Sequence, residues 1–364
     1  MKTDTIDPRN ISLVQFKSLS TEQKVAFYQK EGALFDVLLS QQFSRELLEE
    51  ICTIANATRK IAKSYEGMMW LQTVLAHKRA MLYFIQPSTR TFLSFLNACH
   101  ILGIKVSEVR DPSTSSEVKG ETPSDTIRTF SSYVDVIIMR HPSEGFAETA
   151  AWVLNNSDRP VPVINAGSGR DQHPTQALLD IYTLERSFEE NGGIDGKSIA
   201  MVGDLMRGRT VRSLSYLLTN YNGVKIFYVA PNELRMGDDI KSVLSRNNIQ
   251  FFENDDIESV LPHVDAVYMT RIQDEYEVVG AISEKEYERF HLLERHLSLM
   301  KKDAIIMHPL PRRKEIDPSI DNDSRAMYWR QERNGMWVRA ALLIKIFQKE
   351  KQVLNYFSQQ SNIV

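Results

Sequence analysis

Cysteine is scarce in this chain of 364 residues: there are two, Cys52 and Cys99, with neither C-x-x-C spacing nor a histidine cluster beside them. That argues against a zinc site and a disulfide framework, and a reducing, cytoplasmic setting is expected. An excess of charge is also lacking, since 44 Lys and Arg stand against 47 Asp and Glu for a net charge of −3. No global field then draws nucleic acid or an anionic membrane to the chain, and any anion site must be local. No apolar run approaches the roughly 20 residues of a membrane span, and the start, Met1-Lys2-Thr3-Asp4-Thr5-Ile6-Asp7-Pro8, lacks a signal-peptide core. A Walker-A pattern is missing. Gly203-Asp204-Leu205-Met206-Arg207-Gly208 is not G-x-G-x-x-G and has no acidic residue at the ribose-binding offset, so dinucleotide binding is disfavoured. Internal repeats and low-complexity tracts are absent.

What is present is 42% hydrophobic content, ample for two cores at this length. Residues 1–33 are polar with a short amphipathic piece near 19–28, and read as an extension whose role is open. Between 35 and 63, Leu47, Leu48, Ile51, Ile54, Ala55 and Ile61 recur at helical spacing. Strand-like runs follow at 81–86, 135–139 and 161–165, separated by helical patterns at 91–102, 122–133 and 145–154. A second series has strands at 197–203, 224–229, 264–268 and 304–307, with helices near 209–221, 238–247, 256–261 and 283–290. A helix at 177–186 joins the two series, and one long amphipathic helix at 338–357 closes the chain. Strands alternating with helices predict an α/β protein of two doubly wound parallel-sheet domains. The expected division is 1–33 as extension, 34–178 with 338–364 as one domain, and 179–337 as the other.

In such sheets ligands lie beyond the carboxyl ends of the strands. After the first strand stands Gln86-Pro87-Ser88-Thr89-Arg90-Thr91, a proline turn running into a helix N-terminus. Exposed backbone N–H groups, three hydroxyls and a guanidinium fork suit a phosphate there. Ser and Thr after such a turn also serve as ordinary helix caps, and the stretch alone does not choose. Later strand ends carry Arg140-His141-Pro142, then Gly167-Ser168-Gly169 leading to His173-Pro174-Thr175-Gln176, then Arg207-Gly208-Arg209-Thr210, Thr270-Arg271-Ile272-Gln273 and His308-Pro309-Leu310-Pro311. Singly, each has an ordinary reading as solvated surface, flexible turn or cap. Their joint occurrence at successive strand ends favours a shared anionic ligand, a small phosphorylated donor with an acidic acceptor.

These motifs, in order and with matching spacing over about residues 35 to 350, resemble the catalytic chains of the aspartate/ornithine carbamoyltransferase superfamily. Val118-Lys119-Gly120-Glu121-Thr122 and the run from Arg325 to Leu342 belong to the likeness. The His-Pro-Leu-Pro form and Thr-Arg-x-Gln point to the aspartate branch. The resemblance implies transfer of a carbamoyl group from carbamoyl phosphate to L-aspartate in pyrimidine synthesis, with the active site at strand ends between the two domains. It implies that Ser88, Thr89, Arg90, Thr91 and Arg140 hold the phosphate. Thr91, Arg140 and His173 would meet the carbamoyl oxygen as the catalytic donors. Gln176 and the backbone at Pro309, Leu310 and Pro311 would recognise the carbamoyl amide. Ser115 and Lys119 would reach into a neighbouring subunit's site, making a homotrimer with shared active sites, and a regulatory chain is left open. Arg209 would pair with the α-carboxylate of aspartate, and Arg271, with Gln273 and Lys119, would read the rest. Two carboxylates calling for two guanidinium forks agree with that assignment. Neither a cofactor nor a metal is implied.

The chain departs from the family pattern at Gln86 and Leu96, where glutamates are usual, and at Phe92, where an arginine is usual. Phe92 and Leu96 are four apart on a helix, so an ion pair is expected to have become an apolar pair. The resemblance implies that Gln86 and Tyr276 stand at the two ends of an interdomain latch, and both are uncharged. Weaker or differently timed closure, a different amino-acid acceptor, or a weakly active paralogue acting as a regulatory subunit are the readings this leaves beside the first.

Overall fold

The α/β alternation of the sequence folds into two parallel sheets. The structure, a computed structural model, describes residues 11–111, 120–169, 172–271 and 288–361. The chain divides into two units, residues 1–175 with 335–364 and residues 176–334. Both crossings fall inside helices, Pro174–Phe188 and Tyr328–Ile346, a few residues before the expected change-overs at 178 and 337.

In the first unit a short hairpin, β1 (Gln29–Lys30) and β2 (Ala33–Leu34), precedes β3 (Arg79–Phe84), β4 (Lys105–Val109), β5 (Val136–Arg140) and β6 (Val163–Asn165). The main sheet has the order β4-β3-β5-β6, and every pair in it is parallel. Five of the six β3 residues are buried, as a strand covered on both faces requires. Met81, Tyr83, Ile137, Met139 and Val163 pack with Phe146, Ala150 and Leu154 of helix Phe146–Asn155. The order reverses between β3 and β5, because the chain runs out to β4 and returns on the other side.

The described part of the amino-terminal segment joins this core. Phe16, inside the first of two short helices capped by Ser12 and Ser20, and Tyr28, at the end of the second, are fully buried in it. The fully buried Asp36 then ties the segment to the sheet edge: its carboxylate accepts from Val163 N–H and from Asn155 Nδ2, each at 2.8 Å. Desolvation pushes its carboxyl up to about 7 despite those donors.

In the second unit β7 (Ser198–Val202), β8 (Lys225–Val229), β9 (Gln250–Asn254), β10 (Ala266–Met269) and β11 (Ile305–Met307) form a parallel sheet of order β11-β10-β7-β8-β9. Its reversal point lies between β7 and β10. Val202, Val229, Val267, Met269 and Ile306 build its core with Phe290, Leu292 and Tyr328.

Several features differ from the sequence reading. Strands β4 and β9 were not anticipated; as sheet edges they are mostly half-buried or exposed, so their residues, KVSEV and QFFEN, carry no apolar run. Helix Tyr65–Val74 is a further element, and the helix expected from Phe35 begins only at Arg45, where Ser44 accepts from Leu47 N–H. The long closing helix is two helices, Tyr328–Ile346 and Glu350–Ser361. Gln348 between them takes a left-handed conformation (φ 54°), and the N–H groups of Gln348 and Lys349 turn back onto the carbonyls of Lys345 and Ile344. Of the helix expected at 283–290, only the single turn Glu288–Phe290 falls within the described residues. No helix among the described residues is long and apolar enough to cross a membrane.

Candidate active site

In the first unit the sites at the ends of β3, β5 and β6 come together. Helix Thr89–Ile101 starts at Ser88, which occupies the N-cap position with extended backbone but makes no side-chain cap hydrogen bond. Ser44, Ser64 and Thr122 at the starts of other helices in this unit do cap. The capping alternative for Ser88 therefore does not hold, and its hydroxyl is not spent on its own helix. The first intrahelical bond runs from Phe92 N–H to Ser88 O at 3.2 Å, so the N–H groups of Thr89, Arg90 and Thr91 face outward at the positive end of the helix. Thr91 is buried in that first turn, and Arg90 is half-buried.

Arg140, the last residue of β5, is in register with Phe84 of β3, and its carbonyl accepts from Gln86 N–H at 3.0 Å. Its guanidinium Nη1 donates to Ala166 O at 3.3 Å. Gly167 follows at φ 94°, and a Cβ added there would lie 2.6 Å from His173 Cδ2 and 2.9 Å from both His173 Nε2 and Arg140 Nη1. Only a glycine lets the guanidinium and the imidazole meet over this turn. The turn itself is held by Asn165, whose Oδ1 accepts from the N–H groups of Gly167 and Ser168. Gln172 is held from the amino-terminal side, accepting from Ser40 N–H and donating to Gln41 Oε1, both at 2.8 Å.

In the second unit Arg209 opens helix Arg209–Leu218 after β7, and Arg271 follows β10 on the neighbouring strand. Both are half-buried. Gly208 lies so close to Asp204 that a Cβ would come 2.5 Å from its carbonyl oxygen. The buried Asp204 also accepts from Arg207 N–H at 3.1 Å and sits 3.7 Å from the Arg207 guanidinium. Arg207 is thus a brace for the turn that carries Arg209.

After β11 the buried His308 sets the loop of Leu310 and Pro311. Leu310 N–H donates to His308 Nδ1 at 2.7 Å, which fixes the proton on Nε2, and Nε2 lies 2.7 Å from Glu315 Oε1. Burial works against the Glu315 carboxylate, but the His308 hydrogen bond and the N–H of Arg313 outweigh it and hold its carboxyl below the ordinary value. Leu310 has φ 49°, a left-handed backbone that costs on the order of 1–3 kcal/mol for a non-glycine residue. Gln176 in this unit donates from Nε2 to Asp180 Oδ1 at 3.0 Å. Asp180, Tyr268, Gln331 and Glu315 are partners the sequence reading did not single out. Tyr268 and Gln331 lie far along the chain from Asp180, whereas Asp180 is one helical turn beyond Gln176 and Glu315 is seven residues beyond His308. Ser115, Lys119, Gln273 and Tyr276 lie outside the described residues.

The departures near the cradle are also resolved. Phe92 is buried edge-on against Phe84, with centroids 5.4 Å apart, and the Arg110 guanidinium stands 4.2 Å from its centroid. The helix position where the resemblance leads one to expect a cation is apolar, but the residue just after β4 places one over the same ring, which the pairing of Phe92 with Leu96 did not foresee. Gln86 Oε1 is buried without a hydrogen-bond partner among the described residues.

Comparison with known proteins matches the chain to two family models. The model for the aspartate/ornithine carbamoyltransferase carbamoyl-P binding domain matches residues 36–186, and that for the Asp/Orn binding domain matches residues 195–346. The chain belongs to the aspartate/ornithine carbamoyltransferase family. Within the family, it is 43% identical over 312 residues to aspartate carbamoyltransferase 1, chloroplastic, of Pisum sativum, covering 85% of this chain and 78% of that one. It is 41% identical over 313 residues to the aspartate carbamoyltransferase catalytic subunit of Clostridium acetobutylicum, covering 84% and 95%. Among solved structures it is similar to the catalytic subunit of M. jannaschii aspartate transcarbamoylase, with TM-score 0.76, 39% identity and coverage of 87% and 99%. The Trypanosoma cruzi enzyme in complex with N-(phosphonacetyl)-L-aspartic acid matches with TM-score 0.78, 34% identity and coverage of 86% and 95%.

Proposed function

We infer that this carbamoyltransferase chain moves the carbamoyl group of carbamoyl phosphate to the amino group of L-aspartate, giving N-carbamoyl-L-aspartate and phosphate for pyrimidine biosynthesis. The observation that carries the reading is the meeting of Arg140 and His173 over Gly167, beside a helix start whose Ser88 does not cap it. In the mechanism we propose, the N–H groups and hydroxyls of Ser88 to Thr91, with Arg90, take the donor's phosphate. Thr91, Arg140 and His173 are donors aimed at the carbamoyl oxygen. The neutral amine of aspartate attacks the carbamoyl carbon, the carbonyl electrons move onto oxygen, and the C–O bond to phosphate then breaks with the leaving phosphate taking the amine proton. Catalysis rests on positioning and on oxyanion stabilisation, and no covalent protein intermediate is needed. Arg209 takes the α-carboxylate, and Arg271 with Gln273 takes the side-chain carboxylate. Leu310 and Pro311 close the amide side of the donor site.

The same reading makes the active unit a homotrimer, with Ser115 and Lys119 completing a neighbour's site. A size measurement distinguishes a trimer from a larger assembly with a regulatory chain. The activity is tested with purified chain, carbamoyl phosphate and a panel of amino acids. Fastest formation of carbamoyl aspartate, blocked competitively by N-(phosphonacetyl)-L-aspartic acid, is expected. A different carbamoylated product would replace aspartate with another acceptor, the reading that Gln86, Phe92 and Tyr276 favour, and phosphate release without any product would overturn both.

A further inference from the structure

The assignment of Gln176 to the donor's amide leaves open which end of its own amide faces the ligand. A carboxamide can offer either an N–H donor or a carbonyl acceptor, and the two ends select opposite ligands. In the second unit three donors converge on Asp180, which is fully buried. Gln176 Nε2 lies 3.0 Å from Oδ1, Gln331 Nε2 lies 2.7 Å from the same oxygen, and the Tyr268 hydroxyl lies 2.8 Å from Oδ2. Burial and the adjacent Asp180 hold that hydroxyl well above the ordinary tyrosine value, so it remains a donor. From Gln331 the chain of bonds continues: its Oε1 accepts from His308 N–H at 2.9 Å, and His308 Nδ1 accepts from Leu310 N–H. The two elements assigned to the carbamoyl amide, Gln176 and the Leu310 backbone, are thus joined through one buried carboxyl group.

We propose that Asp180 is a positioning residue for donor discrimination: by engaging Gln176 Nε2 it leaves Oε1 as the end of that amide presented to the ligand. The site then offers acceptors to the donor's acyl substituent, Gln176 Oε1 and backbone carbonyls at Pro309 and Leu310. A carbamoyl –NH2 supplies the matching N–H groups. An acetyl –CH3 of nearly the same size does not, and would leave those acceptors unpaired. The selected donor class is therefore an acyl phosphate bearing N–H on the acyl carbon. This rests on carbamoyl transfer as the activity.

The test compares carbamoyl phosphate as substrate with acetyl phosphate as competitive inhibitor, using the full-length protein and its Asp180→Asn variant. In the variant Gln176 can turn over. The expected result is a loss of about tenfold in kcat/KM for carbamoyl phosphate while the acetyl phosphate inhibition constant changes less than about twofold. Equal changes for both ligands mean general loosening and overturn the proposal, as does an unchanged ratio. Combined with Gln176→Ala, Asp180→Asn should lower the ratio no further, because the two act as one unit; an additional loss also overturns it. If Asp180→Asn does not fold, Tyr268→Phe keeps the carboxylate and removes one of its donors. A smaller fall in the same ratio, about two- to fivefold, is then expected, and none refutes the role. Unmutated protein that forms no carbamoyl aspartate defeats the transfer reading itself, whereas an active protein with an unaltered ratio in the variants defeats only the role of Asp180.

Discussion

In the first unit the grip on an anion is assembled mostly from neighbours in sequence: Ser88 to Thr91 share one helix start, and Gly167 and His173 lie on one loop. Arg140 is brought in by strand pairing with β3. In the second unit the central group, Asp180, is met by Tyr268 and Gln331, which are 88 and 151 positions away. The first arrangement uses backbone N–H groups at a helix start and a strand end, which any phosphate can engage. The second uses buried side chains that must be oriented by other side chains, which suits the reading of small differences between ligands. The contrast suggests that the first unit supplies rate and donor affinity, and the second supplies discrimination and the acceptor.

The largest expected effect tests the first half of that division. Arg140→Ala removes the donor proposed for the developing oxyanion, and kcat should fall by about a hundredfold to a thousandfold. The assay is carbamoyl aspartate formation at saturating substrates, with a thermal melt to confirm folding. Because Arg140 Nη1 also binds Ala166 O, Arg140→Lys serves as a milder control that keeps the charge but loses the planar fork. A kcat within a few-fold of the parent in both variants would end the claim that this unit carries the chemistry.

A smaller and differently placed effect is expected from Arg271→Ala. Losing a charge-assisted pair with a carboxylate costs about 1.5–3 kcal/mol, or roughly ten- to a hundredfold. The rise should appear in the KM for aspartate, while carbamoyl phosphate binding, measured by calorimetry without aspartate, stays within about twofold. Equal weakening of both ligands would dissolve the division of labour.

The same contrast explains what could be read in advance. The parallel alternation, the strand ends and the residues Ser88 to Thr91, Arg140, His173, Arg209 and Arg271 are visible because their chemistry is local in sequence or sits at a strand end. Edge strands β4 and β9 escape because half of each faces outward and no apolar run remains. The break at Gln348 escapes because a left-handed non-glycine residue carries no compositional mark. Asp180 follows Gln176 by four residues, a spacing that does place both on one helix face. Its meaning emerges only when Tyr268 and Gln331 arrive from other elements. Arg110 over Phe92 is of the same kind: the helix shows a missing cation, and only the packing shows where another stands.

The smallest expected effect separates two serines at the same kind of position. Ser44 and Ser88 both precede a helix in the first unit with extended backbone, but only Ser44 accepts from its own helix, at 3.3 Å from Leu47 N. Ser44→Ala should therefore cost about 1 kcal/mol of stability, the usual loss for a capping side chain, with kcat and both KM values unaltered. Ser88→Ala should do the reverse, leaving the denaturation midpoint nearly where it was and raising the KM for carbamoyl phosphate by about three- to tenfold, the loss for one hydroxyl hydrogen bond that water can partly replace. Chemical denaturation of the two variants in parallel, followed by donor titrations, reads both quantities. If Ser88→Ala destabilised the protein as much as Ser44→Ala and left donor KM alone, the hydroxyl would be a cap after all. The phosphate grip would then reduce to backbone N–H groups, Arg90, Arg140 and the two threonines.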